Sequence, residues 1–110
     1  ADFITLHTVL TDETRNCINA DRLASMKKTA VLINTARGGL IDETALLAAL
    51  QQGCIYGAGL DVFEQEPPAN PAWYELDNLV MGSHCSSSTA GATETMGNMA
   101  VDNLLRDLGI

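Results

Sequence analysis

The sequence predicts an α/β fold built on a parallel sheet, and two observations predict it. Short apolar runs of strand length alternate with segments of helical period. Polar or titratable residues then follow directly after those runs, where parallel sheets carry their ligand-binding groups. The expected order is β-α-β-α-β-loop-β-α, with right-handed crossovers.

Each element has its own reason. Phe3-Ile4-Thr5-Leu6 is a short β-branched and apolar run and reads as a strand. Asn19 or Asp21 caps a short helix through about Met26, with Lys27 and Lys28 in its last turn, where cations suit the helix dipole. Ala30-Val31-Leu32-Ile33 is apolar throughout and too short for a helix, so it reads as a central strand buried on both faces. Gly38-Gly39 breaks the chain, and Asp42 caps a helix running to about Gln52. Leu46, Leu47 and Leu50 form its buried stripe, and Gly53 takes the left-handed position after it. Tyr56 to Val62 is the next strand, and its glycines imply close approach by another backbone or a ligand. Glu66 to Pro71 is a loop, because proline closes off both helix and inner strand. Asn78-Leu79-Val80-Met81 is the last strand. The run Ser86 to Thr89 offers several caps to a long helix ending near Leu108-Gly109. Met96, Met99, Leu104 and Leu108 mark its apolar side, imperfectly, since Asn103 and Asp107 share those turns.

Composition narrows the function classes. A chain of 110 residues, 46% hydrophobic, can bury one core of ordinary proportions. Six basic against 14 acidic residues give a net charge of −8, which speaks against a nucleic-acid backbone as partner. No stretch approaches the roughly 18 uninterrupted apolar residues of a membrane span. The start, Ala1 to Thr5, lacks the layout of a secretion signal. Cys17, Cys54 and Cys85 are widely spaced, with no CxxC, and His7 and His84 lie far apart, so no metal site is expected. Isolated thiols suit a reducing, cytoplasmic setting.

The strand ends hold the candidate chemistry. Arg37 can grip a carboxylate through two parallel hydrogen bonds, or serve as a surface or cap arginine. Asp61 ends an apolar strand, so its carboxylate needs donors, either backbone N–H groups or a ligand amide. Glu66 is a solvated loop charge or a positioned acid, its backbone restricted by Pro67-Pro68. His84 is structural, or one half of a Glu–His pair in which the carboxylate fixes the ring tautomer and raises its pKa. His7, beside Thr8, reads first as a backbone anchor. Gly57-Ala58-Gly59 only imitates the start of a GxGxxG fingerprint, since Val62 holds the third glycine's place and the pair lies within a strand.

Three segments coincide in a known pattern. Asn34-Thr35-Ala36-Arg37-Gly38-Gly39-Leu40-Ile41-Asp42-Glu43, Gly59-Leu60-Asp61-Val62-Phe63-Glu64-Gln65-Glu66-Pro67-Pro68, and Ser83-His84 ahead of a helix resemble the NAD-dependent D-isomer-specific 2-hydroxyacid dehydrogenases. The nearest group is the D-3-phosphoglycerate dehydrogenase-like one. Asp2 to Thr8 and Leu10 to Arg15 resemble it too, so the likeness spans essentially the whole chain. It implies a partial Rossmann-like, doubly wound sheet, with residues 1–110 forming the C-terminal part of an NAD-binding domain. The phosphate loop, the first βαβ half and most of the substrate domain would then lie before Ala1.

The resemblance also implies roles. Arg37 would bind the substrate's carboxylate and 2-oxo oxygen, His84 would move the proton, and Glu66 would partner His84. Asp61 would hold the nicotinamide carboxamide. Thr35 and Ala36 would line the nicotinamide end, where Arg37 and His84 also border the cofactor. Thr8 would lie beside the adenosine half, and Ser86 and Ser87 would pass the nicotinamide. Val9 and Ser83 stand where the family commonly has proline, and Cys85-Ser86-Ser87 replaces a more usual small-apolar or glycine-containing segment. The expected activity is hydride transfer between NAD and a D-2-hydroxy acid or its 2-oxo acid, with the chain alone inactive. The alternative is an inactive interaction module that forms a homo-oligomer, such as a dimer, or associates with a complementary half to cover an exposed sheet edge and face.

Overall fold

Four short strands assemble in chain order. In the computed structural model, which describes residues 1–110, these are β1 (Phe3–Leu6), β2 (Val31–Asn34), β3 (Gly57–Leu60) and β4 (Leu79–Met81). All neighbours pair in parallel in the order β1-β2-β3-β4. The helices are α1 (Ala20–Ala24), α2 (Glu43–Gln51) and α3 (Ala90–Leu108), so the alternation expected from the sequence is present. Single 3₁₀ turns lie at Gly38–Leu40, Pro71–Glu75 and Ser86–Ser88.

The caps follow side-chain chemistry. Asn19 Oδ1 accepts the Arg22 N–H at 3.0 Å to start α1, and Asp42 Oδ1 accepts the Ala45 N–H at 3.0 Å to start α2. Gly53, at φ +65°, takes the left-handed conformation after α2. The long helix α3 is capped by Thr89, last of the polar run, not by a serine, because Ser86–Ser88 are occupied in the 3₁₀ turn. Helix α1 ends at Ala24, short of the expected Met26. Lys27 therefore lies outside it and instead meets Asp2 Oδ1 at 3.0 Å.

The sheet is covered on one face only. Leu32, Ala58 and Leu60 are buried beneath the helices, with Ile4, Leu6, Leu79 and Met81 packed beside them. On the opposite face Phe3 is 72% and Val80 74% exposed, and Val31 and Ile33 are only half-buried. This corrects the expectation that the second strand is buried on both faces. The physical reason is topological. A sheet that adds each strand on the same side, through right-handed crossovers, carries every crossover on one face. Strand β2 is central in pairing but bare on one side.

Within the core, Leu46, Ala49 and Leu50 are the buried residues of α2, while Leu47 is half-buried. Trp73, on the 3₁₀ turn between β3 and β4, is buried and meets Phe63 edge-on, with ring centroids 5.8 Å apart. Strand β3 is shorter than the Tyr56–Val62 run, because only Gly57–Leu60 pair with β2, and of these Ala58–Leu60 pair with β4 as well. Glycine at 57 is required by close approach: a Cβ there would stand 2.8 Å from the Asn78 carbonyl oxygen. Helix α3 buries none of its residues, and the molecule extends 57 Å along its longest axis. No helix is long and apolar enough to cross a membrane.

Candidate active site

The carboxyl ends of the strands place an acid and an imidazole in contact. His84 Nδ1 lies 2.8 Å from Glu66 Oε2. Glu66 is held from its other oxygen as well, since Oε1 accepts the Phe63 N–H at 3.0 Å. With both oxygens engaged, the carboxylate is fixed in place, and a proton on Nδ1 leaves Nε2 as the ring's working atom. The His84 hydrogen bond is the main reason the Glu66 carboxyl is held below its ordinary value of 4.5. The Phe63 N–H adds to the effect, and the charges of His84 and Arg37 contribute least.

The main chain around His84 is shaped by Asp61. Asp61 is half-buried, and its Oδ1 accepts the His84 N–H at 3.0 Å. His84 adopts φ +50°, a left-handed conformation unusual for a side chain larger than glycine. Gly82 makes this passage possible, because a Cβ there would sit 2.0 Å from Asp61 Oδ1. The donor that the Asp61 carboxylate requires is thus a backbone N–H on Oδ1, while Oδ2 has no protein partner.

Arg37 approaches from the neighbouring loop. Its guanidinium donates to the Ala36 carbonyl oxygen at 2.6 Å and is otherwise exposed. The following residue, Gly38, packs directly on the main chain of Phe63, where a Cβ would meet the carbonyl carbon at 2.0 Å. The loop carrying Arg37 therefore rests on the loop that anchors Glu66. Close by, Glu43 Oε1 accepts the Glu64 N–H at 2.6 Å. Burial raises the Glu43 pKa, against that hydrogen bond and with help from the Glu64 charge.

Three depressions lie at this end of the sheet. A cavity of about 390 Å³ is lined by Asp61, Glu66, His84, Tyr74 and neighbouring residues. A second, of about 490 Å³, is lined by Thr8, Ala36 and Arg37, with His7. A shallow, mostly apolar dish of about 180 Å³ is lined by Ile33, Thr35, Gly59, Asp61, Val80 and Gly82. The structure thus brings Glu66, His84 and Asp61 together, and groups Thr8, Ala36 and Arg37 separately. Ser86 and Ser87 are exposed on a 3₁₀ turn that borders none of the three. His7 bonds the Thr5 hydroxyl at 2.9 Å, so its partner is a side chain and not the backbone anchor expected. Asn34 and Phe63 fall within the strand-end segments expected to carry the chemistry, but the sequence assigns no role in building the site to them, to Gly38 or to Gly82. A polar residue closing an apolar strand, and a glycine two positions before the histidine, were the available signals.

The residues present fit a nicotinamide cofactor. An apolar dish floored by Gly59 and Gly82 accepts a flat ring, and a carboxylate with one free oxygen at its rim accepts an amide donor.

Fold and site together define a class: a Rossmann-like α/β domain with acid–base groups at its strand ends. Residues 1–86 match the family described as D-isomer specific 2-hydroxyacid dehydrogenase, NAD binding domain, and the chain belongs to that family. Over 105 residues it is 50% identical to a glyoxylate reductase of Pyrococcus horikoshii, covering 96% of this chain and 31% of that protein. A D-3-phosphoglycerate dehydrogenase of Methanocaldococcus jannaschii is 46% identical over 108 residues, covering 98% of this chain and 21% of the relative. Among solved structures, an NADPH-dependent glyoxylate/hydroxypyruvate reductase from Sinorhizobium meliloti, in complex with NADP and malonate, aligns with a TM-score of 0.88 at 40% identity, covering 94% of this chain and 32% of that one. The chain therefore spans about a third of the relatives' length or less.

Proposed function

We propose that this chain forms the catalytic part of an oxidoreductase that interconverts a D-2-hydroxy acid and its 2-oxo acid. The observation that carries this reading is the Glu66–His84 pair, fixed at 2.8 Å at the carboxyl end of a parallel sheet. Glu66 holds the ring through Nδ1, and His84 gives a proton from Nε2 to the carbonyl oxygen during reduction, or removes it from the hydroxyl during oxidation. Arg37 binds the substrate carboxylate and lowers the energy of charge developing on the 2-oxo oxygen. Asp61 orients the carboxamide through Oδ2, and its Oδ1 holds the His84 main chain in register. Thr35 and Ala36 border the nicotinamide end, and Thr8 the adenosine end. The bound dinucleotide supplies or accepts the hydride. Glyoxylate, hydroxypyruvate and similar small 2-oxo acids are the substrates to try first, from the activities for which the relatives are named.

The test compares wild type with His84→Asn in NADH-dependent reduction of glyoxylate and hydroxypyruvate by the full-length protein. The substitution should lower kcat by about 100-fold or more, the usual scale of general acid catalysis. Wild-type kcat in the variant would refute the assignment. Residues 1–110 alone should show no turnover, and measurable turnover by them would refute that part.

A further inference from the structure

We infer that Asn34 is the positioning residue for Arg37, which deepens the reading of Arg37 as the carboxylate-binding group and rests on it. Asn34 closes β2 and is fully buried, the one buried side chain in the core that carries polar atoms able to form two bonds at once. Both of its polar ends are committed to the Arg37 loop. Oδ1 accepts the Ala36 N–H at 3.1 Å, and Nδ2 donates to the Arg37 carbonyl oxygen at 2.9 Å. Its main-chain carbonyl accepts the Asp61 N–H at 3.0 Å. One residue thereby sets where the chain leaves two adjacent strands, with Arg37 beyond one and Asp61 at the end of the other.

The demand on residue type is strict. The loop offers one N–H and one C=O to the same side chain, so only a group with both a donor and an acceptor satisfies it. Buried polar groups left unpaired are costly, which makes the amide a rigid clamp for the loop. Arg37 itself has an extended backbone and no side-chain bond beyond its own loop; its carbonyl also accepts the Leu40 N–H at 3.3 Å from within the following turn, so Asn34 is the side chain that ties that base to β2. Asn34 does not border the three depressions, so it acts through Arg37 and touches no ligand.

Asn34→Asp separates this role from bulk packing. The introduced carboxyl keeps the acceptor for Ala36 but sets a second oxygen against the Arg37 carbonyl, unless it carries a proton. Binding of oxamate, a 2-oxo acid analogue, is measured by calorimetry on the NADH-loaded full-length protein at about pH 8 and about pH 5.5. Wild type at each pH is the reference, which cancels pH effects shared by both proteins through the charged groups around the site, Glu66, His84, Asp61 and Arg37. At the higher pH the variant should bind roughly tenfold more weakly or worse, from one unpaired buried acceptor pair, and recover most of the loss at the lower pH. Asn34→Ala should stay weak at both, with amide hydrogen exchange accelerated at Ala36 while Leu32 and Leu60 keep their protection. An Asn34→Asp affinity equal to wild type at pH 8 overturns the inference, as does a loss that is the same at both pH values. Arg37→Gln is the control for the underlying reading. If it leaves oxamate affinity unchanged, the carboxylate assignment falls, and the positioning role falls with it.

Discussion

Replacing Gly82 with alanine tests how the site is held together. The added Cβ would stand 2.0 Å from Asp61 Oδ1, 2.9 Å from its Cγ and 3.2 Å from its Cα. Relief to the 3.4 Å where ordinary contact begins requires about 1.4 Å of travel, an overpacking penalty of about 1–3 kcal/mol. Either Asp61 yields or the main chain at Gly82 yields. The first breaks the 3.0 Å bond from the His84 N–H, and the second drags His84 away from its 2.8 Å contact with Glu66. A misplacement of that size costs catalysis about 100-fold. The assay is kcat/KM for glyoxylate in the full-length protein, with urea unfolding beside it. Combining Gly82→Ala with Asp61→Ala removes two of the three close contacts, so the stability penalty of the alanine at 82 should shrink in that background. Wild-type kcat/KM in the single variant, or a penalty unaltered by the second substitution, would show that the Gly82–Asp61 contact does not govern the geometry.

Two further outcomes are expected. The Glu66 carboxyl should titrate below 4.5, because its hydrogen bond from His84 favours the charged form. The stability this gives is complete above the unfolded value and is lost as pH falls through the lower folded one, so ¹³C NMR of the Glu66 side chain should show a midpoint below 4.5. A midpoint at or above that value contradicts the hydrogen-bond account. Trp73→Ala should cost about 3–5 kcal/mol in urea unfolding, since it empties a buried site against Phe63. A loss below about 1 kcal/mol would mean that the Trp73 pocket collapses on its own.

The parts legible in the sequence were those written in local chemistry. Asp42 and Asn19 announce their helices because capping is decided by one side chain and the next turn. The Leu46 and Leu50 stripe and Gly53 are likewise local. Glu66 and His84 could be named because residues following strands converge on one edge of a parallel sheet. What escaped was set by the arrangement of elements. Val31 and Ile33 are apolar, yet their face is bare, because strand order decides which side the crossovers take. Met96 and Leu104 mark an apolar side on α3, yet no neighbour covers it. Asn34 follows an apolar strand in the sequence, and only the folded loop shows that both halves of its amide are in use. The sequence assigns Gly82 no role, and the reason for it is a carboxylate at the end of another strand.

The succession of the four strands also allows assembly in chain order. Each strand's partner is the one made just before it, so pairing can proceed from β1 outward without waiting for a later segment. Glu66 lies between β3 and β4, and His84 lies beyond β4. The acid and the imidazole therefore meet only after the final strand has docked. The pair thus reports on the docking of β4, the last of these four strands, and not on α3, which follows His84 and buries none of its residues.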